Sequence, residues 1–124
     1  MNKNLTIASV LGALTVILGA FGAHALKEMV SETQLKSFET AVKYQFIHII
    51  VIMLINMYTS FSTKTKNILT YVFLAGILFF SGSIYAITFG VSAKNIWFIT
   101  PLGGLLFISG WLKLAYTFYK NNNS

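Results

Sequence analysis

Four long apolar runs dominate the sequence, and they determine which solvent the chain can fold in. They cover residues 5–25, 41–61, 68–90 and 96–119. A helix of about 20 residues crosses the roughly 30 Å hydrocarbon core of a bilayer, so each run is long enough to span a membrane once. Only 10% of the residues are charged, against roughly a quarter in a soluble domain. The sequence therefore predicts one transmembrane domain, residues 1–124, with four spans in a lipid bilayer.

The runs are continuously apolar and lack the alternating pattern of a membrane β-barrel. Lipid admits only helices or closed barrels, so each span is predicted to be a helix. The connections at 62–67 and 91–95 are short, and short connections make consecutive helices antiparallel neighbours. The predicted fold is therefore all-α, an integral membrane four-helix antiparallel bundle.

The longer first connection, residues 24–40, has a helical pattern. Ser31 and Gln34 fit a capping box, and Leu35, Phe38 and Val42 line one side. We expect an amphipathic segment at the lipid headgroups that either bends or runs directly into the second span. We interpret it as a solvated cap on the bundle in preference to a partner-binding helix.

Nine lysines oppose three glutamates, giving a net charge of +6. The lysines stand singly between apolar runs, which is typical of membrane-flanking charge and argues against nucleic-acid binding. Four spans place both termini on one side, with five lysines there and four on the other. The two sets are Lys3, Lys64, Lys66, Lys113 and Lys120, and Lys27, Lys36, Lys43 and Lys94. This excess predicts that both termini are cytoplasmic.

The end of the first run also resembles a signal-peptidase site, since Ala23, His24 and Ala25 follow an apolar stretch that begins after Lys3. However, that run is longer than the apolar region of about 7 to 15 residues in a cleavable signal. We expect the segment to be retained as a span, and a mature chain starting at Leu26 is the alternative.

Small residues recur seven positions apart in three spans, a spacing that keeps one side of a helix facing its neighbour. In lipid, helices associate through the close packing that small residues permit. The residues predicted to pack helices together are Gly12, Gly19, Gly22, Gly82, Gly103 and Gly110.

Polar residues form a stripe along one side of the second span. Its members are Gln45, His48, Asn56 and Thr59, and Ser81, Tyr85 and Thr88 form a matching stripe on the third span. Because unpaired polar groups are costly in lipid, both stripes are expected to face the bundle interior. Together with His24, they are the candidates for a functional polar cluster.

His24 and His48 are the only histidines, and antiparallel spans place them on the same membrane side. Two histidines could ligate a haem, or a metal together with Glu39 or Gln45. We favour structural hydrogen bonding for both and predict neither cofactor nor metal. The chain has no cysteine, no aspartate and no paired carboxylates within a span, so we also predict that it is not an enzyme.

Four motifs in order resemble a family of small multi-pass membrane proteins. They are LGAFGAHALK, FETAVKYQFIH, FFSGSIYAI and ITPLGGLLFISGW. The family is catalogued as an uncharacterised protein family, or domain of unknown function, and occurs widely in bacteria with animal transmembrane relatives. The resemblance covers nearly the whole chain and implies a four-span bundle in the bacterial cytoplasmic membrane. It implies no activity.

Three hypotheses of function follow. The leading one is a structural or accessory membrane protein that forms homo-oligomers or part of a membrane complex, because helix-packing residues outnumber chemically active ones. The second is a channel or transporter for ions or small solutes, with a polar pathway around His48. The third is a bis-histidine cofactor-binding protein.

Overall fold

A computed structural model describes residues 2–122, in which all regular secondary structure is helical and no strand occurs. The helices are α1 (Lys3–His24), α2 (Glu32–Met57), α3 (Thr63–Thr88), the short α4 (Ala93–Ile96) and α5 (Ile99–Asn122). Except for α4, these helices are long and apolar enough to cross a membrane. The predicted all-α architecture with four candidate spans is therefore confirmed.

The segment between the first two spans is the beginning of α2 and not a separate element. After a 3₁₀ turn at Leu26–Glu28, the side-chain oxygen of Ser31 accepts a hydrogen bond from Gln34 N at 3.1 Å. Gln34 Oε1 in turn accepts from Ser31 N at 3.2 Å, which completes the predicted capping box. From there α2 continues for 26 residues, about 39 Å at 1.5 Å per residue. Of the two expected geometries, the direct run into the span is the one observed.

The helix boundaries differ from the ends of the apolar runs at several points, including the start of α3 at Thr63, five residues before residue 68. α2 ends at Met57, four residues before the second apolar run ends at residue 61, because Tyr58 has an extended backbone. Ser62 then caps α3 by accepting a hydrogen bond from Thr65 N at 3.1 Å. The fourth run begins with the separate helix α4, so α5 starts only at Ile99. Apolar composition marks where a chain can enter lipid, whereas capping residues mark where a helix starts.

The central pair of the bundle is α2 and α3. In each of them 39% of the most apolar stretch is buried, compared with 17% in α1 and 22% in α5. α1 packs mainly on α2, and α5 mainly on α3. The buried side of α2 follows three- and four-residue steps typical of left-handed helix packing, namely Phe38, Ala41, Gln45, His48, Ile52 and Ile55.

Glycines bring α3 and α5 into close contact. A Cβ atom on Gly103 would overlap the backbone of Phe80 and lie 2.6 Å from its Cα. Further along, a Cβ on Gly110 would lie 2.6 Å from the Phe73 ring, and a Cβ on Gly76 would lie 2.5 Å from the Phe107 ring. Gly76 of α3 and Gly110 of α5 thus each accommodate an aromatic ring of the other helix. Gly76 was not among the predicted packing residues, because the seven-residue spacing pointed to its neighbour Ala75.

The other predicted packing glycines differ among themselves. A Cβ on Gly22 would lie 2.9 Å from the Phe38 ring, and one on Gly19 would lie 3.6 Å from Val42. A Cβ atom on Gly12 would have no neighbour within 4 Å, and one on Gly82 would contact only Leu78 of its own helix. Neither Gly12 nor Gly82 therefore packs two helices of this chain together, contrary to expectation. The buried side of α1 instead runs through Asn4, Ala8, Thr15 and Gly22, and Gly12 lies to one side of that line.

Candidate functional site

Gln45 connects three helices at the centre of the bundle. Its Nε2 donates to Thr15 Oγ1 on α1 at 2.7 Å, and its Oε1 accepts from Tyr85 OH on α3 at 2.6 Å. The Thr15 hydroxyl donates to Leu11 O at 2.6 Å. The polar stripes of α2 and α3 thus meet at Gln45 and Tyr85.

Serines provide two further links between helices. Ser81, which is fully buried, donates from Oγ to the backbone oxygen of Ala41 at 2.7 Å and so connects α3 with α2. The hydroxyls of Ser83 and Thr100 hydrogen-bond to each other between α3 and α5. Thr88, by contrast, donates to Ile84 O of its own helix.

Thr59 does not belong to the polar stripe as predicted. It lies beyond the end of α2, exposed in the turn before α3. The helical projection that placed it beside Gln45 and Asn56 assumed that α2 continued to residue 61.

His48 is buried among aromatic rings contributed by α2, α3 and α5. It is 4% exposed, and its ring stacks on Phe107 with centroids 3.7 Å apart and planes 6° apart. Nδ1 lies 2.7 Å from Tyr44 O, and Nε2 accepts from Trp111 Nε1 at 3.1 Å. A carbonyl oxygen can only accept and an indole N–H can only donate, so these partners select the neutral imidazole with its proton on Nδ1. Both ring nitrogens are therefore already used within the chain.

The structure does not bring the two histidines together. His24 is exposed at the end of α1, whereas the hydrogen-bond and ring partners of His48 lie on α2, α3 and α5. Among residues 2–122, no group of three or more histidine, aspartate or glutamate side chains is close enough to hold a metal ion.

A cluster of amides, which we call the asparagine cluster, links the helices near the termini. Asn4 Nδ2 donates to Asn56 Oδ1 at 3.0 Å and to Asn67 Oδ1 at 2.8 Å, which joins α1, α2 and α3. Asn56 Nδ2 donates to Thr70 Oγ1 at 2.8 Å. A cavity of about 340 Å³ opens beside the cluster.

Sequence reasoning identified Asn56 of this cluster but missed Asn4, Asn67 and Thr70. A signal for Asn4 was available, because it shares the spacing of Ala8 and Thr15 on the buried side of α1.

These contacts give the polar interior a structural role. Among the described residues, every fully buried side-chain nitrogen and oxygen atom has a hydrogen-bond partner. A hydrogen bond between membrane helices contributes on average about 0.6 kcal/mol. The bonds fix the axial position of one helix against the next, because each pairs one donor with one acceptor. Gln45, His48, Asn56, Ser81 and Tyr85 all take part in them.

Comparison with known proteins places the chain among membrane proteins of unassigned activity. Residues 18–104 match the family described as "Protein of unknown function (DUF423)". A "UPF0382 membrane protein" of Haemophilus influenzae is 38% identical over 122 residues, which cover 98% of each chain. One from Staphylococcus aureus is 36% identical over 80 residues, covering 61% of this chain and 66% of that protein. The "UPF0382 inner membrane protein YgdD" of Escherichia coli is 34% identical over 84 residues, covering 67% and 64%. No solved structure matches the chain.

Proposed function

The chain belongs to the DUF423 family of bacterial membrane proteins, and we propose that it is a non-enzymatic structural subunit that assembles through α1. The assembly is a homo-oligomer or a larger membrane complex in the bacterial cytoplasmic membrane. Within it, the interior polar side chains hold the bundle rigid while α1 supplies the contact surface. The lipid bilayer is the remaining partner of the chain.

The observation that carries this proposal is a second packing line on α1, which we call the outer seam. It consists of Ser9, Ala13, Val16 and Ala20, at steps of four, three and four residues. All four are exposed. The same three- and four-residue steps mark the buried side of α2. Ser9, Ala13 and Ala20 are small, and small side chains at this spacing let a neighbouring membrane helix approach closely.

The surroundings of the outer seam favour a protein neighbour. The Ser9 hydroxyl donates to Leu5 O at 2.8 Å, so its polarity is satisfied without water. A groove of about 510 Å³ between α1 and α2 borders the seam and is lined in part by Val16 and Ala20. Side chains of an adjoining helix can fill such a groove and gain dispersion contacts.

The outer side of α5 provides the contrast. The corresponding exposed line on α5 consists of Leu105, Ser109, Leu112 and Tyr116, and all but Ser109 are large, with Leu105 58%, Leu112 66% and Tyr116 60% exposed. Bulky residues of this kind keep helix backbones apart and suit contact with lipid chains. α1 also exposes Val10, Leu14 and Ile17 beside the outer seam. The seam itself carries smaller side chains than the line on α5, as expected if the seam faces protein and the α5 line faces lipid.

The lysine distribution supports an orientation with both termini in the cytoplasm. The membrane side that carries the termini has five lysines and no glutamate, and the opposite side has four lysines with all three glutamates. An excess of lysine marks the cytoplasmic side.

Cysteine crosslinking in native membranes tests the contact surface directly, because the chain has no cysteine of its own. Ala13→Cys places a thiol in the middle of the outer seam. Ser109→Cys is a matched control, since Ser109 is also small, exposed and near the middle of its helix. We expect oxidation to crosslink the Ala13→Cys variant into a dimer, or to a different protein of defined mass, and to leave the Ser109→Cys variant monomeric. Equal crosslinking of the two variants would reject α1 as the contact surface.

A further inference from the structure

The cavity beside the asparagine cluster has a composition unlike that of the other grooves. It opens where α1 begins, α2 ends and α3 begins, at the membrane side that carries the termini. Lys3, Asn4, Asn56, Thr63, Lys66 and Asn67 are among the residues that line it. With Asn2, which also lines it, two ammonium groups and four side-chain amides border a space of about 340 Å³.

No carboxylate balances the positive charge of this cavity. Glu28, Glu32 and Glu39 are the only acidic residues of the chain, and all three lie at the opposite end of the bundle, between the end of α1 and the first turns of α2. Lys3 Nζ lies 5.9 Å from the centroid of the Tyr71 ring, which also lines the cavity.

The hydrogen bonds within the asparagine cluster orient a further donor. Asn67 Oδ1 accepts from Asn4 Nδ2 at 2.8 Å, so the acceptor side of the Asn67 amide faces α1. Its Nδ2 group has no partner among residues 2–122 and retains two hydrogens for a ligand. Asn4 is itself only 8% exposed, so its side chain is held in place and fixes the orientation of the Asn67 amide.

Asn4 and Asn56 use both of their amide hydrogens within the bundle, which leaves the two lysine ammonium groups and the Asn67 amide among the donors lining the cavity. Ammonium and amide N–H groups of this kind bind phosphate oxygens. We infer that this cavity binds a phosphate group, carried either by the headgroup of an acidic phospholipid or by a small soluble phosphate compound. The location at the end of three spanning helices puts the ligand at headgroup depth. The site is independent of the outer seam and of the assembly proposed above.

Binding is measured on the full-length protein with two probes that separate the two sources. Native mass spectrometry counts retained phosphatidylglycerol, with phosphatidylcholine as the zwitterionic comparison. Inorganic phosphate is titrated separately against the melting temperature of the detergent-solubilised protein. Phosphatidylglycerol retained in preference to phosphatidylcholine identifies a headgroup site. A melting temperature that rises with phosphate and reaches a plateau identifies a site for a soluble ligand.

Three variants distinguish a built site from general attraction to negative charge. Lys66→Gln removes one cavity ammonium, and Lys64→Gln removes the same charge two residues away, on an exposed side chain that does not line the cavity. Asn67→Asp keeps an oxygen for Asn4 and introduces negative charge into the cavity. We expect Lys66→Gln to weaken binding by roughly tenfold, as for loss of a hydrogen bond to a charged group. Asn67→Asp should weaken it at least as much, and Lys64→Gln should leave it unchanged.

Two results would overturn the inference. If Lys64→Gln weakens binding as much as Lys66→Gln, the lysines act as diffuse surface charge, to which each contributes similarly. If the wild-type protein neither prefers phosphatidylglycerol nor responds to phosphate, the cavity is not a phosphate site. The lysine variants alter exposed or half-buried side chains, so their folding is checked by an unchanged circular dichroism spectrum.

Discussion

Adding a single methyl group at Gly103 should separate α3 from α5. The Cβ of Gly103→Ala would lie 2.6 Å from Phe80 Cα, whereas ordinary van der Waals contact begins at 3.4 Å. This contact alone requires the two helices to move apart by roughly 0.8 Å, and the still closer Phe80 N requires more. Because the obstacle is backbone, no rotamer change relieves it.

The energetic effect follows from that displacement. Overpacking a well-packed core costs about 1–3 kcal/mol, and a backbone obstacle places Gly103→Ala at about 3 kcal/mol. Separation of the helices also stretches the nearby hydrogen bond between Ser83 and Thr100. The adjacent Gly104 meets nothing within 4 Å, so Gly104→Ala is a matched control. Gly104→Ala should not lower the free energy of unfolding, since alanine favours a helix over glycine by about 1 kcal/mol.

The assay is reversible unfolding of the purified protein in mixed micelles, with increasing denaturing detergent and circular dichroism as the signal. Gly103→Ala should unfold at a markedly lower detergent fraction than the wild type, and Gly104→Ala at the same fraction or higher. If Gly103→Ala and Gly104→Ala were equally stable, the close contact of α3 and α5 at Phe80 would be refuted.

Three further predictions concern the polar interior, the orientation and the mature chain. Gln45→Leu should lower the free energy of unfolding by about 1–3 kcal/mol by removing the oxygen that accepts from the Tyr85 hydroxyl. Adding Tyr85→Phe should then cost less than it does in the wild type, and purely additive effects in this double-mutant cycle would contradict the link. On intact cells, a membrane-impermeant maleimide should label Ser92→Cys but not Thr59→Cys, and the reverse pattern would place the termini outside. Mass spectrometry of the mature protein should find α1 retained, and a chain starting at Leu26 would contradict this.

The architecture could be predicted because lipid leaves few alternatives. Four apolar runs of sufficient length permit only four helices, and short polar connections permit only antiparallel neighbours. The capping box at Ser31 and Gln34 was readable because a cap is a local feature of sequence. The early end of α2 was not, since residues 58–61 are as compatible with a helix in lipid as those before them.

The interior contacts were harder to predict because they depend on which helix neighbours which. Gln45 and Tyr85 could be placed on facing stripes, yet their partner Thr15 sits on α1, whose rotation the sequence does not specify. The two histidines illustrate the same limit. The number of spans was enough to infer that both histidines lie on the same side of the membrane. It does not specify how deep each residue lies or towards which neighbour it points. In the structure, His48 packs against Phe107 and Trp111, and His24 is exposed.

The most direct test of the proposed assembly is native mass spectrometry of the protein extracted from its own membrane. We predict a species containing two or more copies, or one copy with another membrane protein. Ala13→Leu, which places a bulky side chain in the outer seam, should reduce it to a monomer, whereas Ser109→Leu on α5 should leave it intact. A wild-type protein found only as a monomer without a protein partner would contradict the account.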